Sequence, residues 1–277
     1  MRIIYIRMPT FSNTQDSVKL FLQSSQASVA LSPSHLFFYL NDIIQTIPNH
    51  AIAVSLLDAE IPFSFYQVNS KNNVLSGTIG DSTFSFTISA GNYNVQELIA
   101  VLNQEFTSAS LTCVLTYSAI TNAITFTSTG NALALNSTST ALGLVGFSAD
   151  KTLSGTSTLV STQGVNLFPI RNLYVKLQNL NIRNSYNKGT SKIIAKIPID
   201  VKPNGYVFYT AHSNISSYIL DPLIDTIELI ICDEEENEVD FNSIEFSLSL
   251  GLVFDKFIPR NDKLRLIDDE LQALAEK

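Results

Sequence analysis

Strict alternation of apolar and polar residues over positions 244–254 is the feature that most constrains the fold of this 277-residue chain. Successive side chains of a β-strand point to opposite faces, so this period of two puts six apolar residues on one face, with Val253 as the exception on the other. Shorter segments repeat the alternation at residues 173–177, 193–201 and 226–232. Many such strands, separated by polar turns, predict a β-sandwich or barrel. The apolar residues of the first segment are Ile244, Phe246, Leu248, Leu250, Leu252 and Phe254.

Two details refine this strand prediction. Further strands are expected at residues 18–22, 35–40 and 51–68, with Pro48 and Pro62 as boundaries, because proline cannot donate to a central ladder. The alternation that ends at Leu177 resumes at Leu180 and Ile182 with the opposite parity, which predicts a β-bulge near Gln178–Asn179.

One segment has helical rather than strand periodicity. Its apolar residues recur at the spacing of an amphipathic helix of about three turns. Asn94 is placed to cap this helix and Glu97 to complete a capping box, while Tyr93 and Leu98 have the spacing of a hydrophobic staple. A second short helix is expected within residues 137–147. The apolar positions of the first helix are Val95, Leu98, Ile99, Leu102 and Phe106.

The helix and its flanking strands, at residues 83–88, 111–117 and 123–128, interrupt the longer strands. The N-terminal strands alone are too few to close a core. We therefore predict a mainly β protein in which residues 70–165 form a small inserted α+β lobe. The surrounding β-sandwich base is discontinuous, and it is made of residues 1–69 and 166–259. The charged tail, residues 260–277, has apolar residues at helical spacing and is either a docking helix or a frayed end.

Composition excludes several functional classes. Charged residues make up 15% of the chain, against roughly 25% in an ordinary soluble domain. The net charge is −8, and the 17 Lys and Arg residues form no basic cluster, so direct nucleic-acid binding is not expected. No apolar run reaches the roughly 18 residues of a membrane span. Residues 1–7 are too short and too charged for a signal peptide, and the distant pair Cys113 and Cys232 is typical of buried thiols in a reducing cytoplasm.

Catalytic and metal-binding motifs find little support. Residues 146–150 begin like a nucleophile elbow but lack the second glycine. The histidines His35, His50 and His212 do not have the spacing of metal ligands, and structural roles are expected for His35 and His50. We expect no enzymatic activity, no catalytic residues, no specific metal site and no cofactor.

The acidic run at residues 233–238 was tested as a calcium loop. A helix-loop-helix calcium site needs glycine at its sixth position, which is Glu238, and glutamate at its twelfth, which is Ile244. Both requirements fail. A solvated turn between two strands is the favoured interpretation, with weak adventitious calcium binding as the alternative.

Several segments resemble a known protein family. Residues 51–69 are similar to a segment that recurs in minor capsid proteins of viruses with double jelly-roll major capsid proteins. As in those proteins, an insert like residues 88–98 follows, then a hairpin like 115–126 and a piece like 142–147. The C-terminal residues 238–250 fit the same pattern.

Over most of residues 35–255 the chain resembles penton proteins, the minor capsid proteins of virophages such as mavirus and of related polinton-like viruses. This resemblance implies a single jelly-roll β-sandwich, five copies of which form the vertex of an icosahedral shell. It implies two partners, namely further copies of the chain in a homopentamer and the surrounding major capsid protein trimers. The implied location is the capsid vertex of the virion, after synthesis in the host cytoplasm, with the insert outermost.

A different function stays open at the level of sequence. A β-sandwich with a Ser/Thr-rich insert is also compatible with a receptor- or glycan-binding attachment module, and a host receptor is a conceivable partner of the insert. Glycan sites usually present tryptophan, and this chain contains none. Five-fold rings would favour the penton, trimers a spike, and a monomer with glycan affinity a lectin.

Overall fold

The computed structural model describes residues 17–45, 50–148, 153–155, 157–182, 184–186, 189–211, 216–221 and 223–256. The chain divides into two compact units. The first, here called the base, contains the chain up to Phe63, Asn172–Val201 and the chain from Gly205 onward. The second, the insert, contains Ser64–Arg171 and Lys202–Asn204. The sequence places the insert at residues 70–165, and its existence as an independently stable domain stays a prediction. The tail at 260–277 lies outside the described residues.

The strands and helices follow one another along the chain in three groups. The base begins with β1 (Ser17–Gln23), a short 3-10 turn (Ser24–Gln26), β2 (Val29–Ser32), β3 (His35–Gln45) and β4 (His50–Pro62). The insert contains β5 (Val74–Ile79), β6 (Ser82–Thr87), α1 (Val95–Ser108), β7 (Cys113–Ser118), β8 (Ala123–Ser128), β9 (Leu133–Leu135), β10 (Leu153–Gly155) and β11 (Thr158–Val160). The base resumes with β12 (Asn172–Leu177), β13 (Asn184–Tyr186), β14 (Gly189–Ser191), β15 (Ile193–Pro198), β16 (Tyr206–Thr210), β17 (Ser217–Ile219), β18 (Leu223–Cys232) and β19 (Ser247–Lys256).

The base is a jelly roll, as the resemblance predicts. Sheet 1 has the order β1-β19-β4-β16, with β17 also paired to β4, and sheet 2 has the order β15-β12-β18-β3-β2. Every pairing in these two sheets is antiparallel. If the eight main strands are counted along the chain, the two sheets read 1-8-3-6 and 5-4-7-2, which is the strand order of a jelly roll. The mainly β fold class is therefore confirmed.

Strand β19 occupies the middle of sheet 1 and carries the alternation noted in the sequence. Its inner face buries Leu248, Leu250 and Leu252, each at most 2% exposed. The strand begins at Ser247, three residues later than the sequence suggests, and Ile244 is 45% exposed. A tight turn precedes it, in which the Ile244 amide donates to the carbonyl of Phe241 at 3.0 Å and places Ile244 outside the strand.

The bulge predicted at Gln178–Asn179 is wrong. Strand β12 ends at Leu177, although the Gln178 amide still donates to the Glu228 carbonyl of β18 at 2.8 Å. The side-chain oxygen of Asn179 accepts from the Glu228 amide at 2.9 Å, and its side-chain amide donates to the Thr226 carbonyl at 2.7 Å. The change of parity thus occurs after β12 has ended and not within its ladder. The register irregularity of β12 lies instead against β15, between Val175 and Lys176.

The strand predicted over residues 51–68 also ends early. Strand β4 stops at Pro62, and the Phe63 amide donates to the carbonyl of Gly205, one position beyond the Pro62–Tyr206 pair that ends the ladder with β16. From Ser64 the chain belongs to the insert. The apolar residues that follow, including Phe65 and Val68, are buried without forming a strand.

The insert is organised around helix α1, and its predicted start is confirmed. The Asn94 side chain accepts from the backbone amides of Gln96 and Glu97 at 3.0 Å. In return, the Asn94 backbone amide donates to the Glu97 carboxylate at 2.8 Å. Such a cap typically contributes about 1 kcal/mol. Phe106 on the buried face of α1 lies at the centre of an aromatic cluster, 5.0 Å from Phe84 and 4.8 Å from Phe86 between ring centroids.

The second helix predicted within residues 137–147 is not formed. The segment is a series of turns that buries Leu142, Val145 and Phe147 in the core of the insert. Gly146 adopts φ +83°, and a Cβ there would lie 2.5 Å from the carbonyl oxygen of Gln163. The Ala141 amide donates to the Val74 carbonyl of β5 at 2.9 Å, and the left-handed Gly146 ends the single turn that follows, so apolar spacing alone was a misleading signal here.

Replacing Leu98 with Asp is expected to unfold the insert, because Leu98 is fully buried and its site offers no compensation for a carboxylate. Amide hydrogen exchange, followed peptide by peptide, should show loss of protection over α1, β7 and β8. The matched control is Ala100→Asp, which adds the same charge at an exposed position of the same helix. Equal protection in both variants would contradict the placement of the buried face.

Candidate functional site

The acidic run at 233–238 folds into a turn whose carboxylates are already engaged. Asp233 accepts from the backbone amides of Glu235 and Asn237 at 2.9 and 2.8 Å, and from the Asn237 side chain at 3.1 Å. Glu236 has φ +64°, which allows the chain to reverse tightly. Asp233 therefore acts as the organising acceptor of a turn, in agreement with the favoured interpretation of the sequence.

Two further contacts hold this acidic turn against strand β12. The Asn172 side chain donates to Glu234 at 2.8 Å, and the Lys176 ammonium lies 2.9 Å from Glu236. The carboxylates thus point to separate partners and do not converge on a common point. Within the described residues, no group of three or more His, Cys, Asp or Glu side chains is arranged to hold a metal ion.

His35 is bracketed by two carboxylates. Its Nε2 lies 2.8 Å from an oxygen of Glu228 on β18, and its Nδ1 lies 3.0 Å from an oxygen of Glu238 at the end of the acidic turn. A neutral imidazole has only one N–H, so it can donate to one of these carboxylates but not to both. Stacking on Phe37 at 5.6 Å holds the plane of the ring. Through its two nitrogens, His35 ties the acidic turn to sheet 2.

The remaining sequence candidates are dispersed. His50 begins β4, and His212 lies outside the described residues. In the segment that begins like a nucleophile elbow, Gly146 belongs to the turn described above, while residues 149 and 150 are outside the described part of the chain. Of the described candidates, His50 belongs to the base and Gly146 to the insert.

Both cysteines are free and buried. Burial raises the pKa of the Cys113 thiol to about 11, and a backbone hydrogen bond at Thr127 opposes this only in part. Burial likewise raises the pKa of the Cys232 thiol to about 11, against the opposing charge of Lys176. The thiolate is the nucleophilic form, so neither side chain is suited to catalysis near neutral pH.

The surface feature that the sequence analysis missed is a pair of exposed phenylalanines on sheet 1. Phe21 on β1 is 76% exposed and Phe208 on β16 is 72% exposed. Both lie in regular strands whose neighbouring residues, Leu22 and Val207, are buried. The sequence does carry a signal for them, because each strand has an apolar residue at a position where the alternation predicts an outward-facing polar one. Such side chains indicate a contact surface rather than a reaction centre.

No helix among the described residues is long and apolar enough to cross a membrane.

Comparison with known proteins gives a structural likeness and no sequence relative. No family model and no curated protein matches the chain. The crystal structure of the mavirus penton protein matches with a TM-score of 0.51 at 10% identity, over 87% of this chain and 100% of that one. The cryo-EM structure of the Sputnik virophage matches at 12% identity with a TM-score of 0.39, over 88% of this chain and 98% of that one. The first of these matches shows that the chain shares the fold of the mavirus protein.

Native protein is expected to react slowly with a thiol reagent at pH 8, because a pKa of about 11 leaves few thiolates and burial denies access. Denaturant should accelerate the reaction of Cys113 and Cys232 by orders of magnitude. Alkylation followed by mass spectrometry measures both rates. Rapid labelling of either thiol in folded protein would contradict the burial.

Substituting His35 with Gln should destabilise the base by about 1 kcal/mol, because Glu228 and Glu238 lose the imidazole that contacts both of them. The double variant H35Q/E238Q should lose less than the sum of its two single changes, since it also removes one of the facing carboxylates. Denaturant unfolding of the four proteins measures this coupling. Simple additivity would show that His35 does not bridge the two glutamates.

Proposed function

We propose that this chain is a structural capsid protein, a penton whose homopentamer closes the five-fold vertices of an icosahedral shell. The observation that carries the proposal is the jelly-roll base interrupted by an insert between β4 and β12, shared with the mavirus penton protein over that protein's whole length. Fold alone does not dictate function. A second, independent argument therefore comes from the surface of the base.

That surface is suited to close contact between proteins. The outer face of sheet 1 carries Phe21 and Phe208, both more than 70% exposed, and aromatic side chains are enriched at protein interfaces. The centre of this face carries Asp58 and Glu60, and Asp58 accepts from the hydroxyl of the buried Ser249 at 2.7 Å. Aromatic anchors with a polar, hydrogen-bonded surround are typical of specific protein interfaces.

The proposed neighbours are further copies of the chain and the major capsid protein trimers around each vertex. A closed ring with a five-fold axis uses two different surfaces of each subunit, and every contact is repeated around the ring. A ring that is stable in solution needs roughly 800 Å² of buried surface per partner. With less, the surrounding trimers would hold the ring in place. The insert is proposed to face the exterior, where a host receptor would have access to it.

Reconstruction of assembled shells should place this chain at the five-fold vertices, which is the expected outcome of the proposal. Its density should fit five copies around each vertex, with the base toward the neighbouring capsid trimers. Finding the chain on the flat faces of the shell, or inside it, would overturn the assignment. A trimeric spike standing off the shell would favour the attachment function instead.

A further inference from the structure

We propose that neighbouring copies meet edge to edge through sheet 1, with the β1 edge of one copy against the β16–β17 edge of the next. The β1 edge is defined here by Lys19 and Phe21, and the β16–β17 edge by Phe208, Tyr218 and the adjoining Glu60. This inference rests on the proposed ring of copies. It adds which two surfaces of the chain form the repeated contact.

The first argument is that both phenylalanines belong to one face. Register pairs across sheet 1 join Phe21 to Ser249 on β19, Ser249 to Asp58 on β4, and Asp58 to Thr210 on β16. The adjacent row runs from Gln23 through Ser247 and Glu60 to Phe208. Directly paired residues point to the same side of a sheet. Phe21 and Phe208 therefore stand on the same face, at its two opposite edges.

The second argument is strand direction. Three antiparallel pairings separate β1 from β16, so these two strands run in opposite directions. A second copy placed beside the first, with its sheet facing the same way, brings its β1 antiparallel to β16 of the first copy. Among the described strands, β1 ends sheet 1 on one side, and β16 and β17 end it on the other. The two edges are thus compatible with a sheet that continues from copy to copy, which is a head-to-tail contact that can close into a ring.

The third argument is charge. No Lys, Arg, Asp or Glu occurs in residues 20–41. These residues form most of β1, all of β2 and the first part of β3. Natural proteins usually protect an edge with charges, and an unprotected edge is a template for association. The exposed charge next to Phe21 is Lys19, whereas the one next to Phe208 is Glu60. Juxtaposition of the two edges brings opposite charges together, and a contact of either edge with its own kind would bring like charges together.

Exposed aromatic residues continue along the second edge. Tyr218 on β17 is 54% exposed and its hydroxyl donates to Asp255 at 3.2 Å, while Tyr206 on β16 is 43% exposed. The β16–β17 edge thus offers an aromatic strip, and the β1 edge offers a single large side chain to place against it. Contacts dominated by a few aromatic anchors with a polar rim are typical of specific interfaces.

Cross-linking the double variant F21C/F208C tests the proposal. A bis-maleimide with a reach of about 8 Å cannot join the two cysteines of one copy, because three strand spacings, about 14 Å in all, separate β1 from β16. Between copies, the proposed contact should give a ladder of cross-linked bands, from dimer to pentamer, on a denaturing gel. The native Cys113 and Cys232 are buried and should not contribute.

Single variants serve as matched controls. F21C alone and F208C alone should stay monomeric on the gel, since each places a cysteine on only one side of the contact. Dimers from either single variant would show a two-fold contact of like edges and would overturn the proposal. The pair V114C/I120C, at exposed positions of the insert, should give no ladder, and a ladder equal to that of F21C/F208C would show only random collision and would also overturn it.

Charge reversal provides a second readout in the F21C/F208C background. Adding Lys19→Glu should reduce the ladder several-fold, and adding Glu60→Lys to that variant should restore it. Failure of the second change to restore the ladder would contradict the pairing of these two edges. Loss of stability of the isolated chain on Phe21→Ser would show that the chain covers its own edge, and this too would overturn the proposal.

The failure of this inference is distinguishable from failure of the proposed function. Light scattering of the unmodified protein over a concentration series reports whether pentamers form, independently of cross-linking. Pentamers without a ladder would mean that the ring uses other surfaces, so the inference falls and the penton proposal stands. Absence of the chain from the vertices of assembled shells would instead remove the penton proposal itself.

Discussion

The central position of β19 in sheet 1 is the constraint on which the base depends. This strand pairs with β1 on one side and β4 on the other, so it joins the C-terminal part of the described chain to two strands from its N-terminal part. The bond from the Phe246 amide to the Ser24 hydroxyl spans 222 residues. Closing so long a loop costs conformational entropy before any contact is gained. Sheet 1 of the base can therefore be completed only after the insert and strands β12–β18 have been synthesised.

The entropy cost is offset by burial of both faces of this strand. Leu250 and Leu252 are fully buried on the inner face, and on the outer face Gly251 lies beneath the side chain of Leu57. A Cβ at Gly251 would come within 2.9 Å of Leu57, so the absence of a side chain lets Leu57 cover the strand. Such close packing makes the middle of sheet 1 rigid, and the exposed apolar side chains of the sheet lie at its edges.

How far the sequence predicts the structure depends on whether a signal is local. The cap of α1 was predictable because Asn94 and Glu97 are three residues apart and bond to each other's backbone. The bulge near Asn179 was wrongly predicted because the bridging side chain pairs with Glu228, which is 49 residues away. The helix at 137–147 failed for a similar reason, since the Ala141 amide donates to the distant Val74 carbonyl of β5 at 2.9 Å and not to a helical partner.

The same distinction between local and non-local signals decides which features of the candidate site could be predicted. The strands of the jelly roll and the turn at 233–238 could be predicted, because periodicity and turn-forming residues are local properties of the chain. The bracket of His35 by Glu228 and Glu238 could not, since its three residues come from separate parts of the sequence. His35 was expected to be structural on its position alone, and the structure supplies the physical role: an imidazole whose two nitrogens contact Glu228 and Glu238 and hold the acidic turn against sheet 2.

The exposed phenylalanines follow from the same sheet. In a half-buried strand, the outer positions normally hold polar residues, and isolated apolar exceptions need no explanation. Two phenylalanines at opposite edges of one face, separated by a centre of serines and Asp58, are a different case, because the side chains within sheet 1 cannot cover them. Burial of a phenylalanine contributes roughly 1.5–3 kcal/mol, so a neighbour that covers both edges gains more from each contact than isolated surface charges would provide. The centre of sheet 1 is thus closed within the chain, whereas burial of its two edge phenylalanines would require the neighbouring copy that we propose.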